Sequence, residues 1–248
     1  MAVELSIHSL SHTFNGRAER EAIREMSFAI PAGQFTAVVG PSGCGKSTLL
    51  RILAGLVKPT AGRVLLDGLS PKQAAAERRI AWMAQSPALL PWLTASQNVA
   101  LAARILPPGE VRLNAQDALA RVGLGDSAQA YPFMLSGGMQ QRLALARTIS
   151  LPADLWLMDE PFAAVDELTR ERLTGELVSL WEPLNTTVVW VTHHLAEALR
   201  LADRVLVLSP RPASLTADLH VDLPRPRDEA DPKFIHLLKE LRKALVNG

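Results

Sequence analysis

Gly40-Pro41-Ser42-Gly43-Cys44-Gly45-Lys46-Ser47-Thr48 fits the pattern G-x-x-x-x-G-K-[ST] in full. The run before it, Phe35-Thr36-Ala37-Val38-Val39, is short, apolar and β-rich, which predicts a buried strand. The run after it, Thr48-Leu49-Leu50-Arg51-Ile52-Leu53-Ala54, predicts a helix closed by Gly55. Strand, glycine loop and helix form the geometry a phosphate cradle requires. Gly40, Gly43 and Gly45 let the backbone curl with its N–H groups inward, where side chains would block the approach. The helix N-terminus adds unsatisfied donors and the positive end of its dipole. Lys46 is placed to reach the β- and γ-phosphates of a nucleotide, and the Ser47 hydroxyl to ligate Mg2+.

The chain has 248 residues, enough to bury a sizeable core and near the upper limit for one domain. With 48% hydrophobic and 21% charged residues it has the composition of a soluble globular protein. A net charge of +1 supplies no global basic field, which argues against nucleic acid as a partner. No signal-peptide pattern opens the sequence and no apolar run is long enough to span a bilayer. The expectation is a cytoplasmic chain whose membrane association runs through a partner. The single cysteine, Cys44, excludes an intrachain disulfide and reads as a small loop filler inside the phosphate loop.

Other candidates lie at the ends of predicted strands. Val3–Ile7 and Ile23–Ile30 predict strands, with Ser11-His12-Thr13-Phe14-Asn15-Gly16 as a strand end entering a turn. Phe14 suits either core packing or stacking on an adenine ring. Arg63–Leu66 predicts a strand and Asp67-Gly68 a tight turn. Ile80–Ala84 predicts a buried strand ending at Gln85, which is either a solvated loop residue or a contact to Mg2+ or water. Pro87–Thr94 is apolar and punctuated by proline, with Trp92 and Leu93 expected to be partly exposed. From Ala95 to Thr148 the pattern is mostly helical, broken at Pro107-Pro108-Gly109. Leu135-Ser136-Gly137-Gly138-Met139 leads into a helix and offers a second helix N-terminus able to hold an anion.

Leu155–Met158 predicts a strand ending in Asp159-Glu160. There Asp159 can hold Mg2+ and Glu160 can orient or deprotonate an attacking water, helix capping being the structural alternative. A helix from about Leu168 to Trp181 follows, then the strand Thr187–Val191 ending in Thr192-His193-His194. His193 is a structural histidine or a donor to a γ-phosphate. Leu195–Leu201 predicts a helix and Arg204–Leu208 a strand. Beyond the basic link Leu223-Pro224-Arg225-Pro226-Arg227, residues Phe234, Leu237, Leu238, Leu241 and Leu245 share one helical face.

Taken in order, these motifs resemble the ATP-binding subunit of an ABC transporter over nearly the whole chain. Gly40–Ser47 resembles Walker A, Gln85 the Q-loop residue and Leu135–Met139 the signature of that family. Leu155–Asp159 with Glu160 resembles Walker B plus catalytic glutamate, Ala164-Val165-Asp166 the D-loop, and His193 the switch histidine. Leu89–Thr94 and Pro224–Arg227 are similar to segments of bacterial importers for nitrate, taurine and aliphatic sulfonates. Phe14 stands where tyrosine is common, Ala163 and Val165 replace Gly and Leu, and His194 stands where Asp is common.

The resemblance implies an α/β fold, a P-loop NTPase (ABC ATPase) core with an antiparallel β subdomain and a helical insertion. It divides a single domain, 1–248, into a core (1–94 and 149–222), a helical subdomain (95–148) and a C-terminal helical extension (223–248). It implies ATP and Mg2+, a head-to-tail second copy, transmembrane permease subunits and, indirectly, a periplasmic or lipid-anchored solute-binding protein. ATP would lie between Walker A of one copy and Ser136, Gly137 and Gly138 of the other, with Asp166 nearby. The chain would then sit at the cytoplasmic side of the cell membrane. Rival classes are a soluble ABC protein acting on DNA or ribosomes, and a P-loop kinase. The first usually carries coiled coils or two fused nucleotide units, which this sequence lacks. The signature around Ser136, together with His193, argues against the second.

Overall fold

The computed structural model describes residues 2–14, 19–106 and 110–247. The turn read at Asn15-Gly16 and the break read at Pro107-Pro108-Gly109 lie outside the described residues. Strands β1 (Leu5–Phe14) and β2 (Arg20–Ile30) pair antiparallel, and β4 (Ala61–Leu66) joins the other edge of β1. Ser11–Phe14 therefore continues a long, bulged strand instead of ending it. Asp67 and Gly68 both have positive φ, as a tight turn after β4 demands.

The second sheet has the order β5-β6-β7-β3-β8-β9, where β3 is Phe35–Val39, β5 Ile80–Met83, β6 Leu155–Asp159, β7 Thr187–Val191, β8 Arg204–Leu208 and β9 Leu215–His220. The first five strands are parallel and β9 is antiparallel to β8. β3, β6 and β7 are buried along their whole length, which is why they read as unbroken apolar runs. Alternate residues serve opposite faces. Val38, Leu157 and Val189 pack with helix α1 (Lys46–Leu53) and the three-stranded sheet. Val39, Trp156, Met158 and Trp190 pack toward the remaining large helices.

Between β5 and β6 the regular elements among the described residues are all helical: α3 (Ala95–Ile105), α4 (Ala115–Arg121), two 3-10 turns and α5 (Gly137–Ile149). The short α2 itself (Pro71–Ala76) precedes β5. Helices α6 (Glu167–Leu184), α7 (Leu195–Leu201) and α8 (Pro232–Asn247) complete the chain. α8 covers the core, with Phe234 and Leu241 fully buried.

The Pro-Arg-Pro-Arg link is a clamp. The Arg227 guanidinium donates to the carbonyls of Leu199 (2.6 Å), Ala202 (2.6 Å), Leu223 (2.9 Å) and Val221 (3.2 Å). These include carbonyls at the C-terminal end of α7, which otherwise have no intrahelical partner. Arg225 donates to Leu201 and Asp203 and lies over the Trp181 ring. Burial lowers the Arg227 pKa to about 10. Truncation by Arg227→Ala leaves several buried carbonyls unpaired, at a cost of about 2–3 kcal/mol. The expected melting temperature is lower by ~4–12 °C, measured by calorimetry.

Candidate functional site

The parallel register brings four strand ends to one edge. Val38 pairs with Val191, Asp159 with Val191, and Met83 with Met158. The segments that follow β3, β5, β6 and β7 therefore emerge together, where open α/β sheets bind ligands. They enclose a cavity of about 460 Å3 lined by Ser42, Gly43, Gly45, Lys46, Ser47, Thr48, Gln85, Glu160, His193 and Arg211. Motifs read separately along the sequence thus share one space.

Gly45 shows why the loop needs glycine. Its φ is +136°, and an added Cβ would lie 2.8 Å from the Ala22 carbonyl. The Lys46 ammonium is buried and donates to the carbonyls of Gly40 (2.7 Å) and Pro41 (3.0 Å). Cys44 is buried among core side chains, as a loop filler should be.

Across the cavity the Glu160 carboxylate is the meeting point. Its Oε2 lies 3.3 Å from His193 Nδ1 and 3.4 Å from Gln85 Nε2. Glu160 has φ +49°, a left-handed backbone that costs an L residue about 1–2 kcal/mol. Its N–H donates to the Val191 carbonyl at 2.9 Å. Neither Asp159 nor Glu160 caps a helix. Asp159 is 3% exposed, and its Oδ1 is buried without a hydrogen-bond partner. Burial pushes its pKa up, while Ser47 and the charges of Arg51 and Lys46 pull the other way. An orphaned buried carboxylate oxygen beside a serine hydroxyl fits a hard, oxygen-loving cation such as Mg2+, which fills its remaining positions with phosphate oxygens and water.

The other sequence candidates lie outside that cavity. Phe14 is 39% exposed and meets the His12 ring edge-on at 4.5 Å. Ser136 caps α5, its hydroxyl accepting from the Met139 N–H at 3.3 Å. Gly137 and Gly138 form the first turn of α5, and a Cβ on Gly138 would stand 2.7 Å from the Ala164 carbonyl. Asp166 caps α6, accepting from the Thr169 N–H at 3.0 Å, and these hydrogen bonds lower its pKa.

Three residues near the site were not singled out from the sequence. Arg211 closes one wall of the cavity and donates to the Glu21 carbonyl at 3.2 Å. Gln141 contacts the turn after Glu160. Arg170 joins the segment after β6 to the one after β7: it donates to the Val165 carbonyl (2.9 Å) and to His194 Nδ1 (3.4 Å). Since arginine only donates, that nitrogen of His194 accepts.

Burial, then the charges of Arg170 and His193, hold the His194 pKa below 6.5. The fold therefore favours the neutral ring. Between the lowered value and 6.5 the unfolded chain binds a proton that the folded chain does not. This contribution to stability is present above about pH 6.5 and lost as pH falls through the folded pKa. Replacement by His194→Asn is expected to flatten the acid limb of melting temperature against pH. An unchanged acid limb counts against the assignment.

A strand–glycine loop–helix cradle facing an acidic pair at the end of a neighbouring parallel strand defines a P-loop nucleotide-binding site. The ABC transporter family model matches residues 23–163, and the chain belongs to that family. It is 47% identical over 246 residues to the aliphatic sulfonates import ATP-binding protein SsuB 2 of Pseudomonas fluorescens, covering 99% of this chain and 86% of that one. It is 41% identical over 234 residues to the taurine import ATP-binding protein TauB of Rhizobium johnstonii, covering 90% and 88%. Among solved structures it is similar to the dimeric ATP-binding cassette MJ0796 in a post-hydrolysis state bound to ADP and Pi. That likeness has a TM-score of 0.79 at 29% identity, covering 89% of this chain and all of the other. The fold is that of an ABC ATPase cassette.

Proposed function

We propose that this chain is the ATP-hydrolysing subunit of an importer for a small anion such as an aliphatic sulfonate, taurine or nitrate. The convergence of the phosphate loop, Gln85, Glu160 and His193 on one cavity carries the ATPase reading. Similarity to sulfonate and taurine import proteins supports the substrate class.

In this reading the loop N–H groups and Lys46 bind the β- and γ-phosphates, and Lys46 gives up its loop carbonyls to do so. Ser47, Asp159 and Gln85 hold Mg2+, which when bound offsets phosphate charge. Glu160 orients and deprotonates the attacking water, and His193 steadies the γ-phosphate side. Phe14 stacks on adenine, leaving out the hydroxyl that tyrosine would add.

Two copies pair head to tail, so that Ser136, Gly137, Gly138 and Asp166 of one meet the nucleotide held by the other. The similarity to a dimeric cassette supports this arrangement, and so does the placement of those residues outside their own cavity. Closure and release of the pair shift the equilibrium of attached membrane subunits. Among the described residues no helix is long and apolar enough to cross a membrane, so those subunits supply the pore. The groove between the core and the helical insertion, near Gln85 and Trp92, offers them an apolar face: Trp92, just before the insertion, is 68% exposed, and Phe133, within it, is 72% exposed and stacks with Tyr131. Backbone bonds from Ala95 to Ala130 and Ser96 to Ala128 bring these segments together. Exposed apolar groups of this kind mark contact surfaces. A solute-binding protein outside the membrane completes the assembly.

Growth of a deletion strain tests the reading. Loss of growth on taurine or an aliphatic sulfonate as sole sulfur source, or on nitrate as sole nitrogen source, restored by the wild-type gene but not by Glu160→Gln, is the expected result. Normal growth of the deletion strain on all three, with no redundant importer present, contradicts it.

A further inference from the structure

Gln141 lies on α5, five residues beyond Ser136, and is 4% exposed. Its amide touches three residues on two separate segments. Oε1 accepts from the Ala164 N–H at 2.7 Å, while Nε2 lies 3.4 Å from the Glu160 carbonyl and 3.5 Å from the Gln85 carbonyl. The orientation of the amide is fixed by its surroundings. Only its oxygen can accept from an N–H, so the NH2 must face the two carbonyls.

The contacts differ in strength. The bond to Ala164 is short, whereas those to Glu160 and Gln85 are longer than the usual 2.7–3.2 Å range. The amide is thus anchored to the turn Phe162–Val165 and reaches loosely for two further backbones. A shift of α5 by a few tenths of an ångström against the strand ends makes or breaks those two contacts.

What it reaches is the backbone of the two residues whose side chains meet at Glu160 Oε2. Glu160 keeps its left-handed backbone only because neighbours hold it. Its carbonyl accepts from the Ala163 N–H at 3.1 Å as well as from Gln141. Ser136, at the head of the same helix, is the residue expected to meet the nucleotide of a second copy.

We propose that Gln141 is a positioning residue for ATP hydrolysis: it transmits the placement of the Ser136-bearing helix to the backbones of Glu160 and Gln85. This rests on the reading in which Glu160 and Gln85 act on nucleotide. Gln141 is not itself among the residues that line the cavity, so its loss should impair the chemical step and spare nucleotide binding.

Two variants separate its two halves. Gln141→Met keeps the length and removes every polar contact. Gln141→Glu keeps an acceptor for the Ala164 N–H and removes both donors. The measurements are kcat and KM for ATP, equilibrium affinity for a fluorescent ADP analogue, and melting temperature. A misplaced catalytic group costs about 10- to 100-fold in kcat, and that loss is expected in both variants with KM and ADP affinity unchanged. In a Gln85→Ala background the further loss on adding Gln141→Met should shrink, because the residues act as one unit. Wild-type kcat in Gln141→Met, full additivity with Gln85→Ala, or failure of both variants to fold or to bind ADP overturns the proposal. If the wild-type protein itself binds ADP but hydrolyses no ATP, the underlying reading fails and the proposal falls with it.

Discussion

ATP turnover of the Glu160→Gln variant is expected to fall by about 100-fold or more, with nucleotide affinity retained. The argument is geometric. Glu160 is the cavity carboxylate on which both Gln85 and His193 converge, at 3.4 and 3.3 Å. Its left-handed backbone, fastened through its N–H to the Val191 carbonyl, belongs to the segment that carries the side chain into the cavity. Glutamine preserves shape and, through its oxygen, the contact to Gln85, and removes the negative charge and with it the capacity to take a proton. Steady-state phosphate release measures the effect. Turnover within a few-fold of wild type would mean that the proton goes elsewhere.

The second large effect has opposite signs for stability and activity. Asp159→Asn should abolish Mg-dependent turnover and raise the melting temperature of the nucleotide-free protein. Burial pushes the Asp159 pKa up, so the folded chain disfavours the charged form. A raised carboxylate pKa means that stability is lost as pH rises from the unfolded value through the folded one. At neutral pH the aspartate is thus a cost to the empty fold, and its orphaned Oδ1 is the visible sign. A neutral amide of equal size relieves that cost, worth ~2–4 °C for each kcal/mol recovered. Added Mg-nucleotide should stabilise the wild type but not the variant. A variant that melts lower than wild type without ligand would contradict the electrostatic account.

Much of the core was legible because of how parallel strands are buried. β3, β7 and β8 coincide with the apolar runs that suggested them, and α7 with its predicted span. Strand β9 was not read. It is an antiparallel edge strand of alternating partial exposure, and Leu215-Thr216-Ala217-Asp218 has no strong β pattern. α2 was missed although Ser70-Pro71-Lys72-Gln73 carries a capping box with proline at the first position, a signal that was available. The catalytic candidates were legible because each follows a strand end. Gln141 and Arg211 were not, because their partners are backbone carbonyls and an N–H group distant in sequence, and no spacing rule encodes those.

The account depends on nucleotide being clamped between two copies of the chain. Sedimentation of Glu160→Gln with Mg-ATP tests it most directly, against a single-chain mass of 26.9 kDa. Species of twice that mass should form with Mg-ATP and not with ADP. Adding Ser136→Asp keeps the cap on α5 but sets a carboxylate against the partner's phosphates, and should return the protein to single-chain mass. Single-chain mass with Mg-ATP, or pairing and turnover untouched by Ser136→Asp, would contradict the account.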